Sequence, residues 1–192
     1  MSRIFEIRWH GRGGQGAKTA ALLFGDVSMA TGKYFQAFPE YGPERMGAPV
    51  QAFNRLSDDP ITVHCGIKTP DVVVVLDPTL IDSQNVIDGL KSEGTILANT
   101  KESPQILRKK LGLKEGRVFT VDASGIAKET LGQEIPNTPM LGALVKATEL
   151  VDLDVFLSNV RKKLEHKFRG RPELVDGNIK SIKRAYKEVL EG

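Results

Sequence analysis

Cysteine is almost missing from this chain: Cys65 is the only one in 192 residues. A single thiol excludes an internal disulfide framework, and it excludes an iron–sulfur cluster held by the usual four thiolates of one chain. Such cysteine usage fits a reducing cytoplasm. Long apolar runs are missing too, since none approaches the ~20 residues of a membrane span. The first ten residues, MSRIFEIRWH, carry no signal-peptide core. A cytoplasmic protein without membrane contact is the expectation. Charge of one sign is also in short supply: 27 Lys and Arg face 24 Asp and Glu, a net of +3, too little to argue for nucleic acid. The three histidines, His10, His64 and His166, share no metal-ligand spacing, so structural roles are expected for them and no metal site is assigned. Ser124 in "DASGIA" lacks the G-x-S-x-G frame of a nucleophile elbow, and no catalytic residue is nominated. No repeat and no low-complexity segment is present.

What is present is an alternation of strand and helix signals. Strand patterns cover Ile4 to His10, residues 34–38, 50–57, 61–66, 71–77, 94–100 and 117–123. The pair 50–57 and 61–66, with Asp58-Asp59-Pro60 as its turn, reads as an antiparallel hairpin. "DVVVVLD" has the continuous apolar run of a strand buried on both faces. Helix patterns open at Gly14 or Gln15, and follow at 79–90, 104–111, 140–150, 153–165 and 172–190. Asp122 or Ser124 reads as the cap of a further helix. The fold class implied is α/β: a three-layer α/β/α sandwich with a mostly parallel sheet, an antiparallel insertion and C-terminal helices. One domain over 1–192, helical from about residue 139, is expected.

Four glycines fall between Gly11 and Gly16 in "GRGGQG", between the first strand and the first helix. Gly11, Gly13 and Gly16 meet the dinucleotide-binding spacing G-x-G-x-x-G, so a free-standing dinucleotide-binding oxidoreductase is one reading. That reading wants an acid about 20 residues on, at the end of the second strand. Glu40 is near that place but behind Pro39 and ahead of an irregular segment. A second reading is a glycine turn for tight strand–helix packing. A third is an anion or subunit-interface loop made of Gly11, Arg12, Gly13, Gly14, Gln15 and Gly16, with exposed N–H groups able to hold a carboxylate or phosphate.

The second unusual loop is "EYGPERMGAPVQAF", residues 40–53. Tyr41, Gly42, Pro43, Glu44 and Arg45 form a candidate interface loop: proline stiffens it, glycine permits turns, and the charged pair is held outward. As a plain surface turn its ion pair would be worth little. Asp77-Pro78-Thr79 follows the buried strand at its carboxyl end, where open α/β sheets place ligands, although turn-and-cap duty explains it as well. The run "RKKLEHKFRGRPE" with Arg161, Lys162, Lys163, Lys167, Arg169 and Arg171 reads as a solvated face, or as a surface for an acidic partner or for phosphate groups.

"GRGGQG" after a first strand and "YGPERMGAPV" from Tyr41 together resemble the gamma subunits of 2-oxoacid:ferredoxin oxidoreductases. The likeness continues through "DVVVVLDPTLI", "NTPMLGALVKAT" and "KFRGRPELVDGNIKSIKRAYKE". The second loop is closest in form to the pyruvate synthase (pyruvate:ferredoxin oxidoreductase) branch, since Met46-Gly47-Ala48 stands where subunits for larger oxoacids commonly carry Arg-Gly-Gly. The resemblance implies a reversible reaction: pyruvate and coenzyme A give acetyl-CoA, CO2 and reduced ferredoxin. It also implies alpha, beta and delta partner chains carrying thiamine diphosphate, Mg and the iron–sulfur clusters, with coenzyme A bound on or between them. The chain itself lacks the Gly-Asp-Gly that opens a thiamine diphosphate site. Its nearest match, Val175-Asp176-Gly177-Asn178, falls inside a helix pattern and reads as a kink or cap. An obligatory non-catalytic partner is therefore expected, with no cofactor of its own.

Overall fold

A computed structural model describes residues 3–29, 32–40 and 47–192. Its elements are β1 (Phe5–Arg12), α1 (Ala17–Ser28), β2 (Tyr34–Pro39), β3 (Pro49–Ser57), β4 (Val72–Val75), α2 (Thr79–Ser83), β5 (Thr95–Asn99), α3 (Pro104–Leu111), β6 (Arg117–Val121), α4 (Ala123–Leu131), α5 (Asn137–Thr148), α6 (Leu153–Lys167), α7 (Pro172–Glu188) and β7 (Leu190–Glu191). The strands form one sheet in the order β2-β3-β1-β4-β5-β6-β7. Strands β1, β4, β5 and β6 are parallel, while β2, β3 and β7 run antiparallel to their neighbours.

Period-2 alternation divides the sheet between two cores. Val72 and Val74 of β4 enter the larger core with Ile7 and Trp9 of β1, while Val73 and Val75 enter the smaller one. The larger core is roofed by apolar stripes of α1, α4, α5, α6 and α7; Leu80 of α2 and Leu107 of α3 close the smaller. The result is the three-layer sandwich. Local chemistry sets the helix ends. Asp122 is the cap expected for α4, accepting from Gly125 N–H at 2.9 Å, and Asp152 accepts from Asp154 and Val155 N–H at the start of α6. Helix α3 begins with Ser103 and Pro104 and ends on Gly112 at φ 66°.

Three expectations need correction. Residues 61–66 are not a strand, because both edges of β3 are already taken by β2 and β1. The antiparallel hairpin is β2–β3, and 61–66 instead lies over the sheet, where the buried Arg55 donates to the Val63 carbonyl at 3.3 Å and the Cys65 carbonyl at 2.6 Å. The helix expected over 79–90 stops at Ser83, since Gln84 turns to extended backbone (φ −143°, ψ 152°). Finally, the helix expected over 172–190 ends at Glu188, and Leu190–Glu191 pairs with the edge of β6. The segment Val175–Asn178 lies within α7, as the helix pattern indicated, and Asn178 donates back to the Leu174 carbonyl.

Helices α5 and α7 cross in close contact at Gly142. A Cβ on Gly142 would run into the Ile182 carbonyl, a backbone atom that cannot swing away. Gly142→Val is expected to cost about 2–3 kcal/mol through overpacking. By thermal unfolding it should lower the melting temperature by roughly 5–10 °C. An unchanged melting temperature would show that α7 shifts freely on α5.

Candidate functional site at the carboxyl edge of the sheet

The glycine loop leaves β1 and enters α1 beside the end of β4. Its glycines do different jobs. A Cβ on Gly11 would meet Ala17 Cβ and Leu76 Cδ1 at 3.3 Å each, so this position serves strand–helix packing. Gly16 is the N-cap of α1 at φ 79°, and a side chain there would strike Asn137 at the start of α5. Gly13 is held through its backbone: its N–H donates to the Ala48 carbonyl at 2.9 Å, and its carbonyl accepts from Gly47 N–H at 3.3 Å. Gly14 alone among these four combines a left-handed backbone, φ 97°, with open space where a side chain would project.

Around this turn the polar side chains are tied into one knot. The Gln15 side chain accepts from Arg12 N–H at 2.8 Å and donates to Asp77 at 2.6 Å. Asp77 also accepts from the Thr79 N–H at 2.9 Å and the Thr79 hydroxyl at 2.6 Å. The Arg12 guanidinium reaches Thr79 Oγ1 at 2.9 Å, the Gly47 carbonyl at 3.2 Å and Asp77 at 3.3 Å. Burial pushes the Asp77 carboxyl up. The hydrogen bonds from Thr79 and Gln15, with the Arg12 charge, outweigh it and hold its pKa below the usual carboxylate value. Next along the edge, Asn99 donates to the Leu76 carbonyl and to Ser124 Oγ, and accepts from Ser124 N–H.

This arrangement separates the readings of the loop. Dinucleotide binding needs its acid on a parallel strand beside β1. Glu40 instead follows β2, which is separated from β1 by β3 and runs antiparallel to β3. The parallel neighbour of β1 is β4, and the acid behind it, Asp77, is engaged by Gln15, Thr79 and Arg12. Arg12 and Asp77 form a formally neutral pair. The mouth is thus a rigid, half-exposed knot presenting a guanidinium and an open glycine, and it has little excess charge for a free anion. Asp77 and Thr79 take the turn role that the sequence offered, and they also brace the glycine loop. Asn99 and Asn137 were not singled out from sequence, and Gly47 and Ala48 were noted there only as part of the second loop, not as backbone partners of Gly13. Asparagine closing the strand "ILAN" was the only local signal available.

The remaining candidates fall elsewhere. Tyr41, Gly42, Pro43, Glu44 and Arg45 lie outside the described residues, but Gly47 and Ala48 at the end of that loop are bonded to Gly13. His10 is buried on β1, and its Nε2 accepts from Arg8 Nε at 3.0 Å; His64 contacts Gln36, and His166 lies on α6. Cys65 is exposed, and a lone thiol does not fit a cluster. Among the described residues no three His, Cys, Asp or Glu converge as metal ligands, and no helix is long and apolar enough to cross a membrane.

Residues 6–188 match the family model described as pyruvate ferredoxin/flavodoxin oxidoreductase. The chain is 46% identical over 187 residues to pyruvate synthase subunit PorC of Thermotoga maritima, covering 97% of this chain and 95% of that one. It is equally 46% identical over 187 residues to the pyruvate/ketoisovalerate oxidoreductases common subunit gamma of Thermococcus kodakarensis, covering 97% and 98%. The crystal structure of the pyruvate oxidoreductase subunit PORC from Thermotoga maritima superposes with a TM-score of 0.86 at 44% identity, over 99% of both chains. With the family model matched over nearly its whole length and relatives at 46% identity, the chain belongs to the pyruvate ferredoxin/flavodoxin oxidoreductase family.

Proposed function

We propose that this chain, as a single domain, is the gamma subunit of a cytoplasmic pyruvate synthase. The enzyme would convert pyruvate and coenzyme A to acetyl-CoA and CO2 while reducing ferredoxin, reversibly. Thiamine diphosphate, Mg and the iron–sulfur clusters belong to alpha, beta and delta partner chains, and coenzyme A binds on or between the subunits. The observation that carries this reading is the knot at the carboxyl edge. Arg12, Gln15, Asp77 and Thr79 brace one another and fix the glycine turn against Gly47–Ala48, yet leave Gly14 open outward. A rigid turn with one glycine facing outward suits close approach of another subunit's backbone.

Residues Arg12 to Gly16 then face a partner subunit or the shared active-site cavity. Substrate choice need not reside here. The Thermococcus kodakarensis relative is named as common to pyruvate and ketoisovalerate oxidoreductases, which favours a gamma subunit indifferent to the oxoacid. Reconstitution tests the assignment. The purified chain should be folded, colourless and unable to reduce a dye with pyruvate; activity should appear only when the partner chains are added. Pyruvate-dependent dye reduction by this chain alone would refute the proposal.

A further inference from the structure

The basic charge of this chain is concentrated at one corner. Residues 161–173 hold six Lys or Arg against two Glu, a net of +4, which exceeds the +3 of the whole chain. Some of that charge is neutralised locally: Arg161 pairs with Asp176 at 2.9 Å, and Lys163 with Asp26 at 3.1 Å. Lys162, Lys167, Arg169 and Arg171 make no ion pair among the described residues. Lys167 lies over the Phe168 ring at 5.3 Å.

The same corner carries a furrow. Helix α6 runs antiparallel along α1, and two cavities follow the seam between them. One, of about 250 Å³, has Thr19, Ala20 and Leu23 of α1 facing Leu164, Lys167 and Phe168, and is closed on its far side by the α4–α5 connection, α5 and α7 through Ile135, Leu141 and Leu174. The other, of about 420 Å³, has Asp26 and Val27 facing Lys162, Lys163 and His166. Positions 19, 20, 23, 26 and 27 lie along one side of α1, so the two cavities adjoin along roughly 12 Å of that helix and together form the furrow. Its floor is apolar and its α6 wall is cationic. The smaller cavity lies below the roughly 300–1,000 Å³ of small-molecule sites and suits a single anchoring side chain.

We propose that the furrow between α1 and α6 docks an acidic segment of a partner protein, with one large apolar side chain seated between Leu23 and Phe168 and carboxylates on Lys162 and Lys167. Charge complementarity selects the occupant. Asp26 in the furrow and Glu165 elsewhere on α6 would repel a phosphodiester strand, and one phenylalanine is no platform for stacked bases. A segment with acidic side chains can place them beside the lysines and away from these carboxylates. The mode is a groove taking an amphipathic segment by an apolar anchor, with a cationic rim that sets the salt dependence. Nothing in it depends on the assignment of the oxidoreductase.

The probe is a fluorescein-labelled synthetic peptide of glutamates with leucine and phenylalanine on one helical face, titrated into the full chain at low salt. Its controls are the same peptide with alanine in place of the apolar residues, and an oligothymidylate of similar charge. The apolar peptide should bind at least tenfold tighter than the alanine peptide, and binding should weaken as salt is raised. The double substitution K162E/K167E, at two exposed positions, should weaken it at least tenfold without changing the melting temperature. Leu23→Trp, which fills the smaller cavity, should erase the advantage of the apolar peptide while leaving charge-driven binding in place. Absence of binding, equal binding of the two peptides, or indifference to K162E/K167E would overturn the proposal. Oligothymidylate binding as tight as the apolar peptide would overturn it in favour of a nucleic-acid surface.

Discussion

Arg12→Ala is expected to lower the turnover or the subunit affinity of the assembled oxidoreductase by tenfold or more, while leaving the lone chain almost as stable as the parent. In the isolated chain the guanidinium is 31% exposed, and Asp77 keeps its bonds to Thr79 and Gln15 when Arg12 is removed. The loss there is that of a partly exposed pair, about 1 kcal/mol, or roughly 2–4 °C in melting temperature. Against a partner subunit the same guanidinium would be desolvated. Truncating one side of a buried charged contact costs about 2–5 kcal/mol. Subunit titration and steady-state turnover with the substituted chain separate the two situations. Equal assembly and equal turnover would make the knot a turn device and nothing more. Gly14→Val is a poorer probe, because φ 97° adds backbone strain to any effect at an interface.

The second large effect is an acid-side loss of stability that sets in well above the carboxylate range. Its cause is His10. Burial, and then the neighbouring Arg8 charge, push the His10 pKa down to about 4. Arg8 Nε donates to His10 Nε2, so the ring is neutral and carries its proton on Nδ1, which is buried without a partner. An unfolded histidine titrates near ~6.5. Between about pH 6.5 and about pH 4 the unfolded chain therefore binds a proton that the folded chain refuses. Stability falls as pH falls through that window, by up to about 3 kcal/mol, and is level with respect to His10 above it. Asp71 and Asp77 act lower. Their folded pKa values are depressed, so their contribution is present above the unfolded value of about 4 and is lost only as pH falls through the folded one. Denaturant unfolding from pH 7 to pH 4 checks this. His10→Gln, which keeps an acceptor for Arg8, should flatten the profile between pH 6.5 and pH 4; a profile as steep as the parent's would assign the loss to other groups.

What could be read from the sequence, and what could not, divides along the range of the interactions. The run Val72–Val75 was legible as a strand buried on both faces because no polar residue interrupts it. Phe156, Leu157, Val160 and Leu164 were legible as one stripe of α6, and Asp122 as a cap, because each signal lies within two or three turns of chain. The segment 61–66 misled for the opposite reason. Its pattern suits a strand, but whether a strand has a free edge to join depends on β1, β2 and β3 together. Strand β7 is two residues long and is defined only by β6.

The site divides in the same way. The glycine loop could be found because its composition is extreme over six positions. Its binding partners lie far along the chain: Gly47 and Ala48 are more than 30 residues away, and Asp77 and Thr79 more than 60. Each of them, taken locally, is an ordinary turn residue. The dinucleotide reading fails on the same distinction, since the spacing of Gly11, Gly13 and Gly16 is present and the strand order that gives such spacing its meaning is not.

The central claim is that Arg12 to Gly16 form a face covered by another subunit. Amide hydrogen exchange on the chain, alone and in the reconstituted complex, tests it most directly. The amides of Gly14, the open position of the turn, and of its neighbour Gly16 are expected to become strongly protected on assembly. An assembled, active complex in which those amides exchange as fast as in the free chain would contradict it.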